Sequence, residues 1–159
     1  MIYIVASTFY EELSNELIKG AVDRIRRIGD DNIIEQVEGL WATKYTLDQL
    51  KPKIVKVPGA FEIPGMVKQI LDNKQPGIII TLGVIIKGET NHFEQISEFV
   101  FSSISKLTIS SNVPIAFGVI SAQNYEQAEE RALTSRKNKG FEVASTGLEM
   151  LKLYEQYNK

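Results

Sequence analysis

Residues 88–94 read GETNHFE, and His92 is the only histidine in the 159-residue chain. The stretch lies between an aliphatic run and a long apolar-periodic segment. Gly88 lets a backbone approach a ligand closely, and Glu89-Thr90-Asn91 leads straight into the N-terminus of the helix expected next. Free amides there, with the positive end of the helix dipole, make an anion site suited to phosphate. The same dipole disfavours an imidazolium and suits His92 to accepting a proton. A blander reading stands beside this one: Thr90 or Asn91 caps the helix, and His92 is a solvated residue of its first turn.

Three other stretches have chemistry-bearing residues. In VPGAFEIP (57–64), Pro58-Gly59 is ordinary turn chemistry, yet Phe61 and Glu62 interrupt two prolines in a segment too short for a core of its own. It reads either as a ligand wall, with a backbone amide and the Glu62 carboxylate binding hydroxyls, or as a proline-bounded helix entry with Glu62 in the first turn. Phe9 could stack on a flat ring or pack as a staple on the first helix. RALTSRKNKG (131–140) holds Arg131, Arg136, Lys137 and Lys139 within nine residues. That is enough for an anion clamp, and also what a solvated helix end carries as dipole complement.

The elements that must position these residues follow from hydrophobic periodicity. Ile2–Ala6 is a short β-branched run ending in Ser-Thr, as before a helix cap. Leu13, Leu17, Ile18, Ala21, Val22, Ile25 and Ile28 recur at three and four residues, predicting a helix from Glu11 that Gly29 and Asp30 stop. Residues 30–53 keep no clean period, although TLDQL (46–50) could begin a short helix ended by Pro52. A strand is predicted over Ile54–Val57, then a helix with Met66, Val67, Ile70 and Leu71. GIIITLGVII (77–86) has too many consecutive β-branched residues to be half exposed and reads as a central strand covered on both faces. Helix three, about 92–111, bears Phe93, Ile96, Val100, Ile104 and Leu107 on one stripe, with Phe99 and Phe101 widening it to a second apolar surface. A strand over 113–121 and helices near 125–133 and 141–157 complete the alternation. The predicted fold class is therefore α/β, a single-domain three-layer α/β/α arrangement with a central, mostly parallel four-stranded sheet of the flavodoxin-like kind. Ligands of such sheets bind beyond the carboxyl ends of the strands. STFY, PGAFE, KGETNH and SAQNY are the loops expected there.

Composition removes whole classes of chemistry. The chain has 43% hydrophobic and 24% charged residues and a net charge of −2, which argues against a nucleic-acid surface built on bulk positive charge. No cysteine is present, so disulfides, thiolate metal sites and cysteine nucleophiles are excluded. A single histidine makes a zinc site improbable. The opening MIYIVAS lacks the basic flank of a signal peptide, and no apolar run approaches the ~20 residues of a bilayer span. A cytoplasmic protein with small-molecule or protein partners is expected.

Taken together and in order, VPGAFEIP, LGVIIKGETNHFE, PIAFGVIS, YEQAEERA and NKGFEVASTGLEM resemble the 6,7-dimethyl-8-ribityllumazine synthase family of riboflavin biosynthesis. The resemblance covers nearly all of residues 1–153 except 30–53. It implies condensation of 5-amino-6-ribitylamino-uracil with 3,4-dihydroxy-2-butanone 4-phosphate, without cofactor or metal. His92 falls on the family's acid/base histidine. Phe9 would stack on the pyrimidine, and the backbone of Val84, Ile85 and Ile86 would hold its polar edge. Ala60 and Phe61 by backbone, and Glu62 by its carboxylate, would bind the ribityl chain. Glu89 and Thr90 would give backbone amides to phosphate, with Arg131 as countercharge. Phe117 and Lys139 would reach in from an adjacent subunit, and Glu142 matches an acidic residue near the basic cluster.

The departures from the family pattern are local. Thr8-Phe9-Tyr10 stands where the family usually has Arg-Phe-Asn, so the aromatic stays and the flanking polar pair does not. Leu133, Ser135 and Lys137 replace a glycine, a lysine and a second glycine. Residues 30–53 read as holding an insertion of roughly twenty residues, a surface excursion of the sort that costs little. Its Trp41 and Tyr45 have no counterpart to carry over. Family members form pentamers, some of which assemble into icosahedral shells. Because Met1 is followed at once by the first strand, a free pentamer is expected, with helix three lining the ring axis. Alternatives are an archaeal-type riboflavin synthase relative, which lacks GETNHFE and PGAFE, and a non-catalytic lumazine- or flavin-binding or shell protein on the same fold.

Overall fold

The computed structural model describes residues 1–30, 51–89 and 92–157; TLDQL, Trp41, Tyr45 and the boundaries expected within 31–50 lie outside them, as does Thr90. Four strands, β1 (Ile2–Ser7), β2 (Lys53–Val57), β3 (Ile78–Ile86) and β4 (Ile115–Ala122), form one sheet in the order β2-β1-β3-β4. Every pairing is parallel, so the sheet expected to be mostly parallel is wholly so. Five helices accompany it among the described residues: α1 (Glu11–Asp30), α2 (Ile63–Asn73), α3 (His92–Ser110), α4 (Tyr125–Ala132) and α5 (Lys139–Tyr157).

Alternation along the strands sorts the core into two layers. Ile2, Ile4, Ile78, Ile80, Leu82 and Ala116 face α1, α4 and α5 through Leu13, Leu17, Ala128, Val143 and Leu148. Tyr3, Val5, Ile79, Ile85 and Val119 face α2 and α3 through Ile63, Val67, Val100 and Ile104. Both faces of β1 and β3 are thereby covered, which is why these strands read as unbroken aliphatic runs. Thr81 is the polar exception within β3, and its hydroxyl donates to the Ala116 carbonyl at 3.1 Å. Burial of the group is compensated by that bond.

Boundaries shift by small amounts from those the sequence suggests. Helix α1 continues through Gly29 to Asp30, a glycine being tolerated in the last turn at a cost of about 1 kcal/mol. Strand β4 begins after Pro114 rather than at Val113, because proline has no N–H to give the ladder. Helix α5 starts two residues early, at Lys139. There Asn138, with φ 47°, turns the chain and its side-chain oxygen accepts from the Phe141 amide at 3.3 Å.

The chain leaves β1 toward β2 by way of α1 and returns past β1 to β3 by way of α2, on the other face. Strand order therefore reverses between β1 and β3, the position where open α/β sheets open a crevice at their carboxyl edge.

Candidate active site

The loop after β1 carries Phe9. Its neighbour Thr8 is fixed to the end of β2, its amide donating to the Val57 carbonyl at 2.9 Å and its hydroxyl reaching the same oxygen at 3.3 Å. Phe9 itself is 73% exposed and meets the edge of Tyr10, with centroids 5.1 Å apart at 74°. Tyr10 in turn meets Tyr125 of α4 at 6.4 Å. A staple would be covered by its helix; this ring is presented to solvent.

After β2, Ala60–Glu62 forms a single 3-10 turn that runs directly into α2, with Pro64 in the helix's first turn, where a missing N–H costs nothing. Glu62 occupies the cap position of α2 but its side chain makes no capping bond. Its carboxylate lies instead over Gly59, 2.8 Å from where a Cβ there would stand. The ring of Phe61 stacks on Phe99 of α3 at 4.3 Å and 20°. Ala60 is buried beneath the turn, whereas Phe61 and Glu62 are exposed, so the segment offers outward one ring and one carboxylate.

Strand β3 delivers the third loop. Val84 and Ile85 are buried and Ile86 is half-buried, paired with Ile120, Ser121 and Ala122 of β4. Lys87 extends the ladder by one bond, its amide donating to the Ala122 carbonyl at 2.9 Å. Its ammonium then crosses to Glu94 in the first turn of α3 at 3.0 Å, bracketing the loop between them. The hydrogen bond the ammonium gives, then a backbone bond and the charge itself, lower the pKa of the exposed Glu94 carboxyl. Gly88 and Glu89 are exposed, and among the described residues, its chain neighbours aside, no atom lies within 4 Å of where a Cβ on Gly88 would stand. His92 is the first residue of α3 and is exposed.

The fourth side is α4, whose Asn124 cap accepts from the Gln127 amide at 2.9 Å. Arg131, in its last turn, reaches back to donate to the Ser121 carbonyl at 2.9 Å. Ser121 and Ala122 are thus shared: one carbonyl holds Arg131 and the next holds the start of the Gly88–Glu89 loop. The arginine and the loop approach the same two-residue end of β4. Arg131 and the loop, 42 and 43 positions apart in sequence, are thereby anchored to consecutive residues of β4, the arginine on its open edge and the loop on the side of β3.

Two of the expected residues do not join this cluster. Phe117 lies in the first half of β4, opposite Thr81, 37% exposed and edge-on to Phe101 of α3 at 5.6 Å. Lys139 opens α5 against the other face of the sheet and pairs with Glu142 at 2.6 Å. Arg136, the other cation near the replaced lysine, is paired with Glu130 at 3.5 Å. Sequence reasoning overlooked Lys87 with Glu94, and also Glu16 with Thr134, described below. The first pair spans the loop with no helical spacing to betray it, and the second joins residues 118 apart. Among the described residues no group of three or more His, Cys, Asp or Glu side chains could hold a metal ion.

A parallel sheet covered on both faces, with loops gathered at its carboxyl edge where strand order reverses, defines a doubly wound α/β protein. The model of one such family, described as 6,7-dimethyl-8-ribityllumazine synthase, matches residues 41–155. The chain is 36% identical over 155 residues to a protein of Limosilactobacillus reuteri (strain DSM 20016), spanning 98% of this chain and 90% of that one. It is 37% identical over 155 residues to a protein of Chlorobium phaeovibrioides (strain DSM 265 / 1930), spanning 96% and 88%. Both relatives are described as 6,7-dimethyl-8-ribityllumazine synthase. The chain belongs to the 6,7-dimethyl-8-ribityllumazine synthase family.

Proposed function

We propose that the protein condenses 5-amino-6-ribitylamino-uracil with 3,4-dihydroxy-2-butanone 4-phosphate to 6,7-dimethyl-8-ribityllumazine, releasing phosphate and water. The observation that carries this reading is that Arg131 and the start of the Gly88–Glu89 loop are anchored to consecutive carbonyls, those of Ser121 and Ala122, at the carboxyl end of β4. A fixed guanidinium beside a backbone loop at a helix N-terminus suits a phosphate dianion.

In this reading the pyrimidine ring rests on Phe9, whose exposed face is free to stack. The backbone at Val84, Ile85 and Ile86 meets its polar edge, and Ala60, Phe61 and Glu62 receive the ribityl hydroxyls. Glu89 and Thr90 give amides to the phosphate and Arg131 its countercharge. The open space at Gly88 fits the close approach of a ligand, since nothing among the described residues requires glycine there. The substrate amine attacks the ketone and water leaves to give a Schiff base. Loss of the C3 proton then expels phosphate from C4, the enol so formed tautomerises to a carbonyl at C3, the ribitylamino nitrogen closes the ring on that new carbonyl, and a second water departs. Each step moves a proton, and His92, one turn beyond the phosphate loop, is placed to carry it.

The assembly assigned to this chain is a pentamer of the free kind. Its support is twofold: Phe99, Phe101 and Ile109 of α3 are exposed apolar groups, and Phe117 lies in the first half of β4, away from the loops at its carboxyl end. A neighbour supplying Phe117 and Lys139 completes the site. No helix among the described residues is long and apolar enough to cross a membrane, and a cytoplasmic location is part of the same proposal.

Mixing the purified protein with the two substrates and following lumazine fluorescence tests the activity. Formation no faster than in buffer alone overturns it. Light scattering tests the assembly: a particle of five chains is expected, and a shell near a megadalton refutes the free pentamer.

A further inference from the structure

Thr134 follows Arg131 by three residues and precedes Lys139 by five, in the connection between α4 and α5. Its amide donates to Glu16 Oε2 at 2.9 Å and its hydroxyl donates to the same oxygen. The other carboxylate oxygen accepts from Lys19, one turn along α1, at 3.1 Å. Glu16 is largely covered, with 27% of its side chain exposed. Both of its oxygens are engaged, and two charge-assisted bonds fall on one residue of the connection.

The rest of the connection is already stiff. The Arg136 and Asn138 amides donate to the Leu133 carbonyl at 3.0 and 3.1 Å, and the Lys137 amide donates to Glu130 at 3.2 Å. What fixes this folded unit to the body of the protein is α1. Asn138 sits over Gly20, its side-chain oxygen 2.0 Å from where a Cβ on Gly20 would be, and Gly140 presses on the Leu17 backbone. Glu16, Leu17 and Gly20 form one face of α1, and Glu16 is its polar grip on the end nearest α4.

We infer that Glu16 is a positioning residue for the phosphate grip, holding Thr134 so that the last turn of α4 presents Arg131 beside the Gly88–Glu89 loop. The inference rests on the proposed reaction, in which Arg131 binds the phosphate. Arg131 is tied at its head to Ser121 and at its backbone to α4, and α4 is tied at its far end to Glu16. Releasing Thr134 frees that end of the helix while leaving Phe9, Glu62 and His92, on other loops, where they are. A loss confined to the phosphate-bearing partner follows.

The experiment uses the intact assembly and three variants: Glu16→Ala, Glu16→Gln and Thr134→Val. Michaelis constants are measured for each substrate, and binding of inorganic phosphate is measured by calorimetry, a readout that needs no turnover. Glu16→Ala is expected to raise KM for the butanone phosphate and Kd for inorganic phosphate by roughly three- to tenfold, the size of one or two lost hydrogen bonds. KM for the pyrimidine stays within about twofold on the same scale. Glu16→Gln keeps an acceptor oxygen for Thr134 and restores most of the effect, and Thr134→Val, which keeps the amide, falls between. Phosphate affinity unchanged in Glu16→Ala, or both Michaelis constants raised alike, overturns the inference. A wild-type protein that forms no lumazine fails the reaction instead, and its phosphate Kd then still decides on Glu16.

Discussion

The Arg131 guanidinium donates to the Ser121 carbonyl at 2.9 Å, and the next carbonyl along β4, that of Ala122, accepts from the Lys87 amide at the same distance. A cation and a loop from separate elements are therefore held by adjacent peptide units of one strand. Such an anchor sets their spacing by backbone geometry instead of by side-chain packing, and a strand inside a parallel ladder is a rigid reference.

Arg131→Ala removes the cation and leaves the loop. We expect kcat/KM for the butanone phosphate to fall by roughly a hundredfold, as for a charge-assisted contact to phosphate, with the larger share in KM. Arg131→Lys should recover only part. An ammonium offers a point charge in place of a planar fork, and it cannot hold Ser121 and a phosphate in the same arrangement. Steady-state kinetics with each substrate varied in turn check both statements, and equal losses for the two substrates would contradict the assignment.

His92→Ala tests the proton carrier. Its effect should appear in kcat with little change in either KM, at about a hundredfold, the lower end of what positioned acid/base groups contribute. The variant should remain active, since water can reach an exposed first-turn position and shuttle protons. A pH profile of kcat measured beside the wild type separates the roles: a limb lost in His92→Ala belongs to the imidazole.

The layered sheet and the four loops at its carboxyl edge were legible because buried parallel strands and amphipathic helices write their periods directly into the sequence. Ile78–Ile86 announced a central strand by having no polar alternation, apart from Thr81, which is satisfied inside the ladder. Arg131 and GETNHFE were legible as separate motifs; their meeting on Ser121 and Ala122 needed the strand order, which no local pattern carries. Phe9 and Glu62 each had two readings from sequence. Phe9 is exposed and is not covered as a staple would be, and Glu62 does stand at the proline-bounded entry of α2, where its carboxylate makes no capping bond and turns back over Gly59. Glu16 was invisible, an ordinary acidic residue on a helix until a loop from the far end of the chain folds onto it.

Two glycines should separate packing from binding. A Cβ on Gly140 would stand 2.0 Å from the Leu17 carbonyl oxygen, a backbone atom that cannot rotate away. Gly140→Ala must therefore push α5 from α1, and a loss of about 2–3 kcal/mol is expected in chemical denaturation. A Cβ on Gly88 meets open space, so Gly88→Ala should leave stability within about 0.5 kcal/mol of wild type. If the loop's backbone cradles phosphate, the same methyl weakens inorganic phosphate binding. Unchanged affinity in Gly88→Ala would count against a close approach there.

The Glu16 contact also predicts how stability depends on pH. Thr134, by its hydroxyl and then its amide, holds the Glu16 carboxyl at about 2 instead of 4.5, against some desolvation and with help from Lys19. A carboxyl depressed in the folded state binds its proton more readily in the unfolded chain. Its contribution is therefore complete above 4.5, declines as pH falls from there toward 2, and is absent below both values. Glu16→Gln has no proton to take up at this site; its neutral amide keeps Thr134 in place by weaker bonds. The melting temperature of the wild type should thus exceed that of Glu16→Gln by a constant margin at neutral pH, and the margin should close on acidification through that window. Because other carboxyls titrate in both proteins, the difference between the two melting curves is the quantity to follow. A margin that stays constant down to pH 2 would mean that the ionised carboxylate is not what holds Thr134.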